Sequence, residues 1–255
     1  MHLWCVFYVS RPMFDEAQLF GLQSVINELL PQWSSEMRAA KDEDSPSGIV
    51  VGRQGRLYEC IQQAAPQRRR LGRAVLTGAY KGLSFFLRQF DGTLPPELNE
   101  FAIEIYQRST VEGQPASSWA RKVCEALVAA LPVRYAHSRT SEEFAAKNMI
   151  DDDTEARAIG TKITNAIPGL YWLNYFGAPY VSLMGGDRLL SAPAYEVKPV
   201  SDGVLLALDS SADAWQSEAY KQREQAVIDP LGKQFFFSRF DPERKTVAPD
   251  FRAGP

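Results

Sequence analysis

The stretch Ile167-Pro-Gly-Leu-Tyr-Trp-Leu-Asn-Tyr-Phe-Gly177 sets four aromatic rings into the six positions from Tyr171 to Phe176. In extended backbone the side chains alternate, so Tyr171, Leu173 and Tyr175 share one face and Trp172, Asn174 and Phe176 the other. Both faces are largely apolar, which describes a central strand covered on both sides. Pro168-Gly169 and Gly177 set its ends, and Asn174 then requires a buried hydrogen-bond partner. A ligand platform or partner surface would need exposed rings, and a ligand platform would also need convergent polar groups. Core is the reading taken.

Working outward, the flanking patterns predict antiparallel sheet with packed helices. Ala178 to Leu190 is helical with an interruption at Gly185-Gly186. Tyr195–Val200 and Val204–Leu208 flank Ser201-Asp202-Gly203, where Asp-Gly signals a hairpin. A helix follows from Asp213 to Ile228, ending before Pro230. Upstream, Thr140-Ser-Glu-Glu143 fits a capping box opening a short helix to Met149. Ser117-Ser118 caps a helix through Leu131, with Trp119, Val123, Ala126, Leu127 and Ala130 on its apolar stripe. Val133 to Ala136 returns as a strand.

In the first half, Met1 to Ser10 lacks a basic leader region and a cleavage site, and reads as a first strand rather than a signal peptide. Leu19, Leu22, Val25, Ile26 and Leu29 then follow helical spacing, bounded by Asp15-Glu16 and Pro31. Residues 41–48 are a polar loop. Leu83–Arg88 and Phe101–Arg108 are strands, the second alternating cleanly enough to predict a half-buried antiparallel one. The order of elements describes an α+β fold with mainly antiparallel sheet. It is taken as a single domain over 1–255, although a two-lobed division near 138–155 fits comparably.

The totals narrow the chemistry. The chain has 255 residues, 45% hydrophobic and 23% charged, with a formal charge of −3. That balance belongs to a globular protein without the basic field that holds nucleic acid. No apolar run approaches the roughly 20 residues that span a bilayer. Cys5, Cys60 and Cys124 are far apart and odd in number, so neither a disulfide framework nor a zinc site is indicated. Unpaired cysteines and no leader point to the cytoplasm.

No nucleophile elbow, phosphate loop, dinucleotide fingerprint or zinc-protease helix is present. The histidines are His2 and His137, and neither has a ligand or catalytic partner at motif spacing, so His137 receives no catalytic role. No catalytic residue, metal or cofactor is assigned. Arg68-Arg69-Arg70 with Arg73 reads as a solvated face more readily than as a phosphate or partner contact. Asp151-Asp152-Asp153 with Glu155 is the sharpest acidic run. Its plainest reading is a helix N-terminus ahead of Thr154-Glu-Ala-Arg-Ala-Ile, where acids complement the helix dipole. It could also bind a hard cation through oxygen ligands, although the spacing is not an EF-hand loop and consecutive side chains diverge, or present negative charge to a basic protein surface.

Ile167–Gly177, then Tyr180-Val-Ser-Leu-Met-Gly185, then Arg188-Leu-Leu-Ser-Ala-Pro-Ala-Tyr195 form a recognisable succession. It resembles the bacterial polymorphic-toxin immunity proteins of the immunity-protein-fifty-two type and related type VI secretion immunity proteins. The match is clearest over 165–210. The resemblance implies a non-enzymatic antidote, encoded beside a secreted toxin and binding it stoichiometrically. The usual cognate is a restriction-endonuclease-like nuclease, and no direct nucleic-acid or membrane contact is expected of the antidote.

Such a toxin would be blocked by occlusion, with acidic side chains competing with the DNA backbone for the toxin's basic groups. The expected partner-binding residues are Asp151, Asp152, Asp153 and Glu155, with Asp42-Glu43-Asp44 second. The competing reading is a hydrolase of another class using carboxylates scattered in sequence.

Overall fold

The computed structural model describes residues 2–10, 21, 24, 25, 28, 37–40, 49–52, 75–80, 83–88, 98–106, 115–151 and 156–251. They fall into two compact units, residues 2–133 and residues 134 onward. Each is α+β with antiparallel strand pairing, the class expected from the sequence.

The first unit contains β1 (His2–Ser10), β2 (Met37–Ala40), β3 (Ile49–Gly52), β4 (Val75–Tyr80), β5 (Leu83–Arg88), β6 (Leu98–Tyr106) and helix α1 (Ala116–Ala130). The strands lie in the order β1-β6-β5-β4-β2-β3. β1 pairs with β6 from His2 opposite Tyr106 to Ser10 opposite Leu98. Leu3, Cys5, Phe7 and Val9 are fully buried on one face of β1. α1 packs on β1 and β6 with Trp119, Ala120, Val123, Cys124, Leu127 and Val128 buried at helical spacing. Cys5 and Cys124 are free thiols. A hydrogen bond with Cys5, then burial, raises the Cys124 thiol well above its ordinary range.

Two expectations change here. β6 is not half-exposed, because Ala102, Ile103, Glu104 and Ile105 are all buried. Glu104 tolerates this by pairing with the His2 imidazole Nδ1. The start of α1 is capped by Pro115 without a side-chain bond, and Ser117 lies inside the first turn, so the serine cap does not form. Of the helix expected over 15–30, Gly21, Ser24, Val25 and Glu28 are described, and all are helical. Cys60, the 41–48 loop and the 68–73 arginines lie outside the described residues.

The second unit, from Arg134 on, holds all but the first residue of β7 (Val133–Thr140), then α2 (Ser141–Asn148) and the small hairpin β8 (Met149–Asp151) with β9 (Ala156–Ala158). β10 (Leu173–Phe176), α3 (Ala178–Met184), α4 (Gly186–Leu190), β11 (Glu196–Val200) and β12 (Gly203–Ala207) follow. A 3-10 turn (Ala212–Gln216), α5 (Glu218–Leu231) and a further 3-10 turn (Lys233–Phe235) complete it.

β10 lies between β7 and β12, central as its two apolar faces predict. The strand is shorter than the aromatic stretch. From Ile167 to Trp172 the backbone is irregular yet almost wholly buried. Asn174 explains why: its Nδ2 donates to the Tyr171 carbonyl (2.7 Å) and its Oδ1 accepts the Tyr171 N–H (3.2 Å). The buried partner that Asn174 needs is thus its own backbone, three residues back, and that bond turns the chain.

Gly185, at φ 91°, separates α3 from α4 as expected. The hairpin forms, but its loop residues are Ser201 and Asp202, since Val200 pairs with Gly203. Gly203 is required by crowding: a Cβ there would lie 2.4 Å from the Phe176 carbonyl oxygen and 2.6 Å from the Tyr175 ring. α5 runs past Pro230 to Leu231, three residues beyond the expected end at Ile228, and ends at Gly232 with φ 115°. Arg188 from α4 donates to the last carbonyls, Pro230 and Leu231, which stabilises that end.

The acidic run does not precede a helix. Ala156–Ala158 is extended and pairs with Met149–Asp151, so strand pairing overrides local helix preference.

The capping box forms by half. Thr140 Oγ1 accepts the Glu143 N–H at 3.0 Å, while the Glu143 carboxylate turns inward. Thr140 is fully buried, and Thr140→Ala is expected to cost about 1 kcal/mol, read as a lower urea midpoint at unchanged slope.

Candidate functional site

Two helices supply facing pairs at i, i+4 spacing: Glu143 and Lys147 on α2, Tyr220 and Glu224 on α5. Lys147 Nζ donates to Glu143 Oε1 (2.9 Å), to Glu224 Oε1 (2.8 Å) and to the Leu170 carbonyl (2.5 Å). All three ammonium donors are therefore used. The Tyr220 hydroxyl donates to the same Glu143 oxygen at 2.7 Å. The Tyr171 and Tyr220 rings lie 5.4 and 5.5 Å from the ammonium.

The next residue on α2, Asn148, completes the network. Its Nδ2 donates to the Ile159 carbonyl at 3.1 Å and the Pro168 carbonyl at 2.8 Å, and its Oδ1 accepts from the Tyr171 hydroxyl at 2.5 Å. The Pro168–Leu170 turn is buried outside any strand, so its carbonyls need partners. Asn148 and Lys147 provide them. On the other side, Ile167 exchanges backbone bonds with Phe235 and Phe237 at 2.8 Å each, tying the chain after α5 to the same turn.

One ammonium serves two carboxylates. Burial alone would lower Lys147, but the fields of Glu143 and then Glu224 outweigh it and hold its pKa above the ordinary lysine value. Burial raises Glu224 despite the opposing pull of Lys147. Tyr171 and Tyr220 are both raised, chiefly by burial. A lysine nucleophile needs its neutral amine. Lys147 is held charged and fully bonded, so it anchors the turn.

His137 is buried in β7, 4.7 Å ring to ring from Tyr171. Burial, with Arg139 nearby, holds it well below the usual imidazole range and hence neutral. Arg139 lies 3.7 Å over the Phe144 ring.

Against this cluster lies a groove of about 380 Å³ in the second unit. Its buried lining includes Pro168, Leu170 and Phe236, and its more exposed lining carries Lys221, Lys233, Arg239 and Arg244. Phe240, also in the lining, is 91% exposed.

Of the acids expected from the sequence to bind a partner, Asp151 is the last residue of β8. Asp152, Asp153, Glu155, Asp42, Glu43 and Asp44 lie outside the described residues. The residues that sequence reasoning missed are Glu143, Lys147, Tyr220 and Glu224, together with the basic rim. The i, i+4 spacing of Glu143 and Lys147 was a visible signal, but their meeting with α5 spans 77 residues. Among the described residues, no group of three or more His, Cys, Asp or Glu side chains comes together to hold a metal ion. Nor, among those residues, is any helix long and apolar enough to cross a membrane.

No protein-family profile matches the chain, and no curated protein does. Among solved structures, it is similar to the Pseudomonas aeruginosa T6SS protein PA0821. The TM-score is 0.46 at 11% identity, covering 95% of this chain and 83% of that one. Similarity at that level transfers neither activity nor partner.

Proposed function

We propose that this chain is an immunity protein that binds a cognate secreted toxin stoichiometrically and neutralises it. The toxin class that suits the reading is a nuclease effector of the type VI secretion system, blocked by occlusion of its active site. The observation that carries the proposal is the division of labour around residues 167–195, where the family resemblance lies. The part from Ile167 to Phe176 is interior; the carbonyls of Pro168, Leu170 and Tyr171 are taken by Asn148, Lys147 and Asn174, and the Tyr171 and Tyr175 hydroxyls donate to Asn148 and Asp202. That segment is the scaffold, and recognition falls to the surface, where an aromatic ring beside arginine is the kind of anchor that dominates protein interfaces.

The test is co-expression with a toxin encoded beside this chain. Growth rescue and co-purification at a fixed ratio are the expected results, and failure of both overturns the proposal. In the same system, replacing Asp151, Asp152, Asp153 and Glu155 by Ser should slow association at low salt. Unchanged association kinetics would remove the acidic run from the interface.

A further inference from the structure

We infer that the groove beside Lys147 is a docking site for a short acidic segment of a protein partner that also carries an apolar side chain. The inference deepens the reading above by assigning a surface to the partner, and it rests on that reading only in taking the partner to be a protein.

Charge complementarity carries it. Lys221, Lys233, Arg239 and Arg244 all line the groove, and the lining acid Glu224 is engaged by Lys147. The present ties of the rim cations are of the exchangeable kind. Lys233 meets Asp229 at 3.2 Å with both side chains more than half exposed. Arg244 meets Asp241 at 3.0 Å, and Arg239 donates to the Ala146 carbonyl at 2.8 Å. The exposed Lys233–Asp229 pair contributes little and an incoming carboxylate can replace it, while Arg239 and Arg244 can offer it their remaining guanidinium donors.

The apolar requirement comes from the same lining. Leu170 and Phe236 are buried, while Phe240 stands almost fully in solvent with the Arg239 guanidinium 5.8 Å from its ring centre. A side chain entering the groove would cover Phe240, and the volume of about 380 Å³ suits a few side chains rather than a folded surface.

A nucleic acid fits less well. Its backbone carries a charge at every nucleotide and would meet Asp229 and Asp241 beside the rim, on a chain of formal charge −3. A peptide can place its carboxylates opposite Lys221 or Arg239 and uncharged residues elsewhere.

The test is fluorescence anisotropy at low salt, with the full chain and a short labelled peptide of Asp and Glu around a central Phe. A Lys-for-acid version of the peptide and a single-stranded DNA oligonucleotide serve as the comparison probes. Saturable binding of the acidic peptide is expected, weakened about tenfold or more by Lys221→Glu with Lys233→Glu. Phe240→Ala should weaken it by about threefold or more. All three side chains are exposed, and an unchanged far-UV circular dichroism spectrum confirms that the variants fold. Absence of saturable binding, indifference to the charge reversal, or equal binding of the Lys peptide or the DNA overturns the inference. Peptide binding that responds to the variants, in a chain that captures no toxin, upholds the groove and sinks the immunity reading. Toxin capture with no peptide binding does the reverse.

Discussion

Trp172→Ala should cost about 3–5 kcal/mol of folding stability, measured as a fall in the urea midpoint. The indole is wholly buried, and its Nε1 donates to the Asp209 carbonyl at 2.9 Å. The Trp172 carbonyl accepts from the Leu208 N–H at 2.8 Å, so this residue ties the turn before β10 to the end of β12. Alanine would leave a large cavity in an interior that cannot close over it, because Tyr171, Tyr175 and Phe176 are themselves fixed and buried. Trp172→Phe separates the two contributions. It keeps most of the apolar volume and loses the Nε1 bond to the Asp209 carbonyl, so about 1–2 kcal/mol is expected. A loss below about 1 kcal/mol for the alanine variant would mean that the ring is not packed as described.

The same stretch shows how far a sequence pattern reaches. Alternation of apolar faces found the central position of β10 and the burial of its rings. It could not find that only Leu173–Phe176 would be strand, because an asparagine that bonds its own backbone leaves the alternation intact. Thr140 capped its helix as the motif predicts, while Glu143 left the box for Lys147 and Tyr220. A fully buried carboxylate gains more from an ammonium and a phenol than from a helix-end amide.

Asp202-Gly203 marked a hairpin correctly for a partly different reason, since the glycine is demanded by the Phe176 carbonyl and the Tyr175 ring. The groove was the least legible feature. Its cations sit at Lys221, Lys233, Arg239 and Arg244, and no periodicity links them. They converge because Ile167 holds residues 235–237 against the Pro168–Leu170 turn.

Lys147→Met should cost about 3–5 kcal/mol near neutral pH, because it leaves two carboxylates in a buried cluster without their cation. The side chains of Lys147 and Glu224 are only about one-fifth exposed and that of Glu143 is fully buried, so solvent screens the loss poorly. The Leu170 carbonyl also loses its donor. Adding Glu224→Gln should recover part of the loss, since one of the stranded charges disappears while Tyr220 continues to donate to Glu143.

The pH dependence has a definite sign. Burial already holds Glu224 above the usual glutamate range, against the lowering field and hydrogen bond of Lys147. Without Lys147 that restraint is gone, and Glu224 rises further. A carboxyl raised in the folded state contributes stability below its unfolded pKa, and that contribution is lost as pH climbs through the folded value. The deficit of Lys147→Met relative to the unaltered chain should therefore shrink as pH falls from about 8 to about 5. It should shrink less in the Glu224→Gln background. A deficit that ignored pH, or a total loss under about 0.5 kcal/mol, would make Lys147 an ordinary surface partner. The Pro168–Leu170 turn, with the groove built on it, would then be held by Asn148 and the Ile167 backbone bonds alone.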